Sequence, residues 1–217
     1  MTIRYFTIAG GNTTALVSET PTSLRRDLSL RLLEKVEQVG FIETKTNTLV
    51  MMGEELCINA LLAFAFLKNS DKGKAQIVVN GESVQVGYTN TRANTSITIH
   101  MPHTVSDTTV LFKGIGFRCC PSPLAYQKNI LRELSEKNNT PAFGYISYGS
   151  EAEPINPTIY VKDTDSCIEE TACGSGSIAI HLTTGAKDII QPTGQSISVT
   201  HTDIEFTIGA KVQEIFF

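Results

Sequence analysis

Two short segments of the chain resemble each other, and each leads into an apolar stretch with helical spacing. Residues 53–60 read Gly-Glu-Glu-Leu-Cys-Ile-Asn-Ala, and residues 169–176 read Glu-Glu-Thr-Ala-Cys-Gly-Ser-Gly. Each segment has a cysteine, Cys57 or Cys173, where the apolar stretch begins, and a glutamate three residues earlier. A helix that is apolar nearly all round is expected to be buried. The repeated segment therefore predicts two similar halves, each built around a buried helix that starts at a cysteine.

The order of the predicted elements supports this division. In each half, strands precede a surface helix, more strands follow, and a buried apolar helix comes before the last strands. Helices are predicted over residues 22–36, 57–68, 122–136 and 173–182. The sequence thus predicts an α+β fold, with an N-terminal domain at residues 1–105 and a C-terminal domain at residues 106–217. The last strand could return to the N-terminal domain.

Composition limits the classes of protein to consider. The 217 residues are 41% hydrophobic and 18% charged, which is enough apolar material for a core. A net charge of -4 argues against a nucleic-acid partner. The longest apolar run has eight residues, at 60–67, and is too short to cross a membrane. The first residues lack the pattern of a secretory signal, so a cytoplasmic location is expected.

The cysteines and histidines argue against a metal site and a disulfide framework. The chain has five cysteines, an odd number, and no CxxC pair. Three of these cysteines are predicted to be packing residues: Cys119, Cys120 and Cys167. The histidines are also set aside, because His100 and His103 should point to opposite faces of a strand and His181 and His201 should be isolated. No metal ion is expected.

The two remaining cysteines have a chemical consequence at helix starts. A helix N-terminus presents unpaired N–H groups and partial positive charge, which lower a thiol pKa and can bind a carboxylate. Two such helices that meet end to end would hold an amino-acid carboxylate between two sulfur atoms. One thiolate would remove the α-proton while the other thiol returns a proton to the opposite face. The pattern predicts a two-base racemase.

Other interpretations of the cysteine pair stay open. Both cysteines could be small core residues, since cysteine is among the most buried residue types. The matched pair argues against this, and so do Gly174 and Gly176, because glycine in an ordinary buried helix costs about 1 kcal/mol relative to alanine. A non-catalytic amino-acid-binding protein and a redox protein with a Cys57–Cys173 disulfide are further alternatives.

Four segments of the sequence resemble the diaminopimelate epimerase family. Gly11-Asn12 is similar to the family's early Gly-Asn substrate loop, and residues 53–60 and 172–176 are similar to its two cysteine motifs. Residues 37–43, which read Glu-Gln-Val-Gly-Phe-Ile-Glu, resemble the pyridoxal-phosphate-independent histidine racemases of staphylopine-type metallophore biosynthesis in particular. One departure is Ile58, which stands where the family usually has glycine.

The resemblance implies a fold, a site and a mechanism. It implies two domains, each with a curved, barrel-like sheet around a central helix, and an active site in the cleft between them. It also implies that the protein uses no cofactor and no metal, and that it forms a homodimer, as members of the family often do. Cys57 and Cys173 would be the catalytic pair. The remaining predicted site residues would bind the substrate: Asn12, Ile58, Asn59, Glu170, and the backbone of Gly174 and Ser175.

The substrate prediction depends on one absent and one present residue. Diaminopimelate epimerases carry an arginine shortly before the second cysteine, whereas residues 164–169 contain none and are acidic, which disfavours a distal carboxylate. In the histidine racemase resemblance, Glu37 would bind the imidazole, although a solvated charge is an equal reading of that residue alone. Histidine is the first prediction. Diaminopimelate and small basic amino acids such as diaminopropionate or ornithine are the alternatives.

Overall fold

The computed structural model describes residues 1–121 and 128–216. Its helices are α1 (Thr22–Leu32), α2 (Ile58–Leu67), α3 (Lys128–Lys137) and α4 (Gly174–Thr184). The strands of the first half are β1 (Thr2–Ile8), β2 (Gly11–Ser18), β3 (Gln38–Glu43), β4 (Thr48–Met51), β5 (Lys72–Val79), β6 (Glu82–Asn90), β7 (Thr95–His100) and β8 (His103–Ser106). The later strands are β9 (Thr109–Phe112), β10 (Ile115–Cys120), β11 (Ala142–Ser147), β12 (Asn156–Val161), β13 (Ser166–Glu169), β14 (Asp188–Ile190), β15 (Ser196–Thr202), β16 (Glu205–Ala210) and β17 (Val212–Ile215).

The strands form two sheets, which confirms a mixed α+β fold. An 11-stranded sheet has the order β14-β15-β16-β7-β6-β5-β4-β3-β2-β1-β17, and a 6-stranded sheet has the order β13-β12-β11-β10-β9-β8. Among the described residues, neither sheet closes on itself, so the expectation of barrel-like sheets is wrong in that respect. Both sheets are mixed, because short strand connections make antiparallel pairs and the crossovers through α1, α2 and α3 return the chain parallel to the strand it left.

The larger sheet draws strands from both ends of the sequence. The strands β14 to β16 extend it beyond β7, and β17 pairs antiparallel with β1 through Val212 and Ile8. The border at residues 105 and 106 falls within β8, which belongs to the smaller sheet. The two-domain division stays a prediction.

The helices agree with the sequence in place but not in every boundary. The helix α1 ends four residues before the predicted position 36, because the chain must reach the parallel pairing of β3 with β2. Residues 122–127 of the predicted third helix lie outside the described residues, and α3 follows them. Within the described part of the chain, no helix is long and apolar enough to span a membrane.

The two apolar helices are the centre of the core. The first eight residues of α2 are all buried, and α2 packs against strands β1 to β4, β6, β7 and β17 of the larger sheet. The helix α4 is equally buried over its first eight residues and packs against β9, β10, β14 and β15. Large apolar side chains such as Phe6, Phe64 and Phe206 fill the space between the helices and the sheets. Burial on all sides explains why both helices lack a polar face.

The N-termini of α2 and α4 meet directly. A Cβ atom added to Gly174 would lie 2.6 Å from Cγ2 of Ile58 and 3.0 Å from Oδ1 of Asn59. Glycine therefore allows the second helix to approach the first at a distance that a side chain would prevent. The residue that departs from the family pattern, Ile58, fills the space that Gly174 leaves.

A methyl group at this contact should be costly. We expect Gly174→Ala to lower the free energy of unfolding by about 1–3 kcal/mol, because Ile58 is fully buried and cannot move aside. Chemical denaturation measures the change. Gly87→Ala is the matched control, because its added Cβ would have no neighbour closer than 3.8 Å. Equal stability of the two variants would contradict the close helix contact.

Candidate active site

Cys57 and Cys173 occupy the same local position in the two halves. Each is the N-cap residue of its helix, with extended backbone angles of φ -118° and ψ 101° for Cys57 and φ -136° and ψ 102° for Cys173. Each sulfur accepts a hydrogen bond from the backbone N–H three residues later, at 3.3 Å from Ala60 and 3.2 Å from Gly176. The structure thus confirms the predicted helix-start position of both cysteines.

Asn59 ties the first helix to the segment that precedes the second. Its Oδ1 accepts the backbone N–H of Gly174 at 2.9 Å, and its Nδ2 donates to the carbonyl of Ala172 at 2.9 Å. The side chain is buried, and both ends of its amide are used. Asn59 therefore holds the residues on either side of Cys173 in place.

Ser175 makes the reciprocal connection. Its hydroxyl accepts the backbone N–H of Ile58 at 3.3 Å and donates to the carbonyl of Leu56 at 3.2 Å. The pair of contacts is the mirror of those made by Asn59. Because Ile58 and Gly174 already donate to these side chains, their N–H groups are not available to a carboxylate. The Gly174 N–H, which was predicted to bind the substrate, is thus occupied, and substrate binding by the Ser175 backbone stays a prediction.

Two side chains connect the thiols through hydrogen bonds and close contacts. The Cys57 thiol donates to Oε1 of Gln38 at 2.9 Å, and Nε2 of Gln38 donates to Oε1 of Glu170. The Glu170 carboxyl in turn interacts with the Cys173 thiol. Gln38 was not predicted individually, although it lies in the segment 37–43 that resembles histidine racemases. Its position between the halves couples the surroundings of the two cysteines.

Glu37 and Asn12 both contact Thr171, just before the second cysteine. The Glu37 carboxylate accepts the Thr171 backbone N–H at 2.9 Å and its hydroxyl at 2.6 Å. The same hydroxyl accepts the backbone N–H of Asn12 at 2.6 Å. The Asn12 side chain is fully buried, and its Nδ2 has no hydrogen-bond partner among the described residues. Glu37 thus supports the 170–173 segment, and its contact with an imidazole stays a prediction.

A cleft lies beside the meeting point of the helices, and residues of both halves line it. Predicted site residues in its wall are Glu37, Cys57, Asn59, Glu170, Cys173 and Ser175. Three others do not line it and are buried: Asn12, Ile58 and Gly174. No lysine or arginine of the described residues contributes to the wall, whereas three glutamates do. The cleft is therefore suited to a substrate with a cationic group.

The third glutamate of the cleft is Glu55, not the Glu54 that the repeated segment singled out. Glu54 has a positive φ of 53°, and its carboxylate turns away to accept the backbone N–H of Gly81 at 2.5 Å. Glu55 lines the cleft, and its Oε2 accepts the backbone N–H of Gly53 at 3.0 Å. The glutamates at matching positions in the sequence thus have different roles, because only Glu170 among them faces the site.

The expectation that the helix starts lower the thiol pKa values is wrong, because both pKa values are raised. Burial raises the pKa of Cys57 and of Cys173 well above the ordinary range, and the charge of Glu170 raises both further. The hydrogen bonds from Ala60 and Gly176 act in the opposite direction but do not compensate. Desolvation destabilises the thiolate by more than the hydrogen bonds from the helix N–H groups stabilise it. Both cysteines therefore favour the thiol form.

The buried carboxyl groups are perturbed in the same direction. Burial raises the pKa of Glu170 to about 8, with repulsion from Glu37 adding to the effect. Burial raises the pKa of Glu55 to about 7, with a smaller contribution from Asp163. Buried carboxyl groups without an ion-pair partner favour the neutral form, so a cation that enters the cleft would favour their ionised forms. The carboxyl groups of the cleft are therefore suited to bind positive charge.

Other predictions about cysteines and histidines have mixed outcomes. Nε2 of His181 lies 2.8 Å from Nδ1 of His201, so these two are paired and the expectation of isolation is wrong. His100 and His103 lie in strands of different sheets. The remaining cysteines occupy strands, with Cys119 buried and Cys120 and Cys167 half-buried. The described residues contain no cluster of three or more acidic, histidine or cysteine side chains that could hold a metal ion.

Gln191 contacts the second cysteine, and no feature of the sequence predicted this contact. Gln191 is fully buried, its Oε1 accepts the backbone N–H of Cys173 at 2.8 Å, and its Nε2 donates to Ser177 at 3.0 Å. It reaches the helix start from the loop after β14, 18 positions later in the chain. Only the packing of this loop onto α4 brings it there.

Known proteins resemble this chain in sequence and in fold. No protein-family model matches the chain. A histidine racemase of Fusobacterium nucleatum strain ATCC 23726 is 28% identical over 73% of this chain and 72% of its own length. A histidine racemase of strain ATCC 25586 is 31% identical over 66% of this chain and 63% of its own length. The resemblance to the epimerase-like family, close to histidine racemases, is confirmed.

Solved structures show the same fold. A structure described as "a Predicted Epimerase" from Pseudomonas aeruginosa has a TM-score of 0.68 at 12% identity and covers 99% of this chain and 98% of its own. A "probable proline racemase" from Agrobacterium radiobacter K84 has a TM-score of 0.58 at 10% identity, over 98% of this chain and 91% of its own. At these identities the likeness concerns the fold.

The pKa directions predict how the thiols react. We expect Glu170→Gln to raise the rate of Cys173 alkylation by iodoacetamide at pH 8 by about tenfold, because removal of a nearby negative charge lowers the thiol pKa. Mass spectrometry of individual cysteines measures the rate. Glu169→Gln, at the exposed neighbouring residue, is the control. An unchanged Cys173 rate in Glu170→Gln would show that this charge does not act on the thiol.

Proposed function

We propose that this protein is a cofactor-independent amino-acid racemase that interconverts L- and D-histidine. The observation that carries the proposal is the placement of Cys57 and Cys173 at the starts of two helices that meet beside one cleft. Similarity to two histidine racemases supports a racemase or epimerase activity. Metallophore biosynthesis and a homodimer come from the family resemblance, a cytoplasmic location comes from the pattern of the first residues, and all three stay predictions.

The proposed reaction needs one thiolate and one thiol. One cysteine, as thiolate, takes the α-proton of the amino acid and becomes a thiol. The other cysteine gives its proton to the opposite face of the α-carbon and becomes a thiolate, so protons and charge balance over the step. The carboxylate gains negative charge as the α-proton leaves, and the partial positive ends of α2 and α4 stabilise it.

The substrate itself supplies a means of activation. Both thiols have raised pKa values because they are buried beside acidic groups. An amino acid brings an α-ammonium group, and histidine can bring a second positive charge on its imidazole. A cation within a few ångströms lowers the pKa of a neighbouring thiol. Substrate binding would thus form the thiolate only when there is a proton to remove.

The charges of the cleft support a cationic substrate. Glu37, Glu55 and Glu170 line it, and no basic residue of the described chain does. The acidic wall disfavours the distal carboxylate of diaminopimelate, which would lack an ionic partner. Ornithine or diaminopropionate would satisfy the same charges. Histidine is preferred because both curated relatives are named histidine racemases.

Solvent exchange tests the proposal. In D2O without added cofactor, we expect L-histidine to gain deuterium at its α-carbon and to convert to D-histidine. Cys57→Ser and Cys173→Ser should each reduce racemisation by about 10²–10⁴-fold, because a serine hydroxyl is a far weaker acid than a thiol at this step. Proton NMR measures the exchange, and chiral chromatography measures the conversion.

Cys167→Ser is the matched control, because Cys167 lies in β13 on the face away from the cleft, between Ser166 and Ile168 in its wall. Full racemisation by either the Cys57 or the Cys173 variant would exclude the two-thiol mechanism. Exchange confined to diaminopimelate in a panel of amino acids would exclude the proposed substrate. Thermal stabilisation by histidine without any exchange would indicate a non-catalytic binding protein.

A further inference from the structure

Glu55 is a buried carboxyl group in the cleft that the proton transfer does not use. It precedes Cys57 by two residues, and its side chain leans toward the smaller sheet. A Cβ atom on Gly53 would lie 3.1 Å from Oε2 of Glu55 and 3.4 Å from both Val161 and Asp163. The carboxyl group thus stands where residues of the first half contact the strand β12 and the turn that follows it.

The protein gains no evident stability from this carboxyl group. Glu55 is only 8% exposed, and it forms no ion pair within the described part of the chain. Its hydrogen bonds come from backbone N–H groups, that of Gly53 at 3.0 Å and its own, and none comes from a cation. A buried carboxylate without a cation costs free energy that a neutral side chain would avoid. A destabilising buried carboxyl group at a cleft is typical of a group that binds a ligand.

A second buried carboxyl group in the same cleft, that of Glu170, lies beside both the thiol of Cys173 and the amides of Gln38 and Asn12. Its Oε1 accepts the Gln38 amide, whereas its Oε2 is buried without a hydrogen bond of regular geometry among the described residues. Oε2 is therefore the oxygen that can receive a further donor, and the carboxyl group stands next to one of the two thiols proposed for proton transfer. An α-ammonium group is a donor of the right kind for it.

The side chain of such an amino acid would then need a separate acceptor. Glu37 has both carboxylate oxygens occupied by Thr171 and is half-buried. Glu55 accepts a hydrogen bond from Gly53, is more deeply buried, and shares the cleft wall with the apolar side chains of Met51, Leu56 and Ile115. A charge-assisted hydrogen bond is stronger in such apolar surroundings, because little water competes with it.

We propose that Glu55 determines substrate specificity by binding the cationic group of the substrate side chain, an imidazolium or an ammonium. This inference rests on the proposed racemase function and extends it to the side chain. Glu37 then positions the 170–173 segment through Thr171. Under this proposal Glu37 has a structural role and Glu55 binds the ligand.

The experiment compares Glu55→Gln with Glu54→Gln. The second variant is the matched control, because the Glu54 carboxylate binds Gly81 away from the cleft. For Glu55→Gln, we expect kcat/KM of α-deuterium exchange with L-histidine to fall by about tenfold or more, mainly through KM, because a hydrogen bond to a charged group is lost. Exchange of L-glutamine, a neutral amino acid of similar length, should not fall. Glu54→Gln should change neither.

Stability provides a readout that separates binding from a structural role. Without ligand, Glu55→Gln should melt at the same temperature as the wild type or higher, because it removes an unpaired buried carboxyl group. A structural role would instead lower the melting temperature of this variant. If Glu55→Gln does not fold, the inference is overturned, unless Glu55→Asp folds and shows the same selective loss of histidine exchange.

The failure of this inference differs from the failure of the proposed function. If the wild type exchanges histidine and Glu55→Gln keeps the same preference for histidine over glutamine, Glu55 does not bind the side chain of the substrate. If the wild type exchanges no amino acid, the racemase proposal fails. In that case histidine-induced thermal stabilisation, lost in Glu55→Gln and kept in Glu54→Gln, would still support Glu55 as the binding group, and its retention in both would overturn it.

Discussion

The meeting of two helix N-termini is the contact on which the rest of the site depends. Asn59 and Ser175 exchange hydrogen bonds with the backbone of the opposite segment, and Ile58 packs into the space left by Gly174. Each helix thereby satisfies N–H groups that a helix start leaves unpaired. The contact fixes both cysteines relative to each other, because each is the N-cap of a helix held at this point. A catalytic pair needs such rigidity, since proton transfer at carbon depends on distance and direction.

The electrostatics of the cleft follow from the same burial. The apolar helices exclude water from both thiols and from Glu55 and Glu170, and all four groups have raised pKa values as a result. Buried thiols of this kind are less reactive towards oxidants and alkylating agents than exposed thiols. A cationic ligand reverses the balance, because it compensates the charge that burial disfavours. In the proposed mechanism, selectivity for a cationic substrate and activation of the thiol thus share one physical cause.

The long sheet explains how one chain brings its ends to this site. The strands β14 to β17 join the sheet that β1 to β7 begin, so the C-terminal residues brace the N-terminal half. The loop after β14 delivers Gln191 to the backbone of Cys173, and Thr193 of the same loop donates to the carbonyl of Ala9. The backbone around the second cysteine is therefore held from two distant parts of the sequence, by Gln191 at Cys173 itself and by Asn59 on either side of it. Pairings so distant in sequence leave no local periodicity from which they could be predicted.

The sequence by itself determined the two cysteines, their helix starts and the apolar character of α2 and α4, because helix caps and buried helices are local patterns. It also indicated the absence of a basic clamp before Cys173. Only the tertiary structure decided that Glu55 and not Glu54 faces the cleft, because a positive φ at Glu54 turns adjacent side chains to different sides. It also decided that Gln38 lies between the thiols and that burial outweighs the helix ends in setting their pKa values. These features depend on which surfaces exclude water, and that is settled by packing between distant segments.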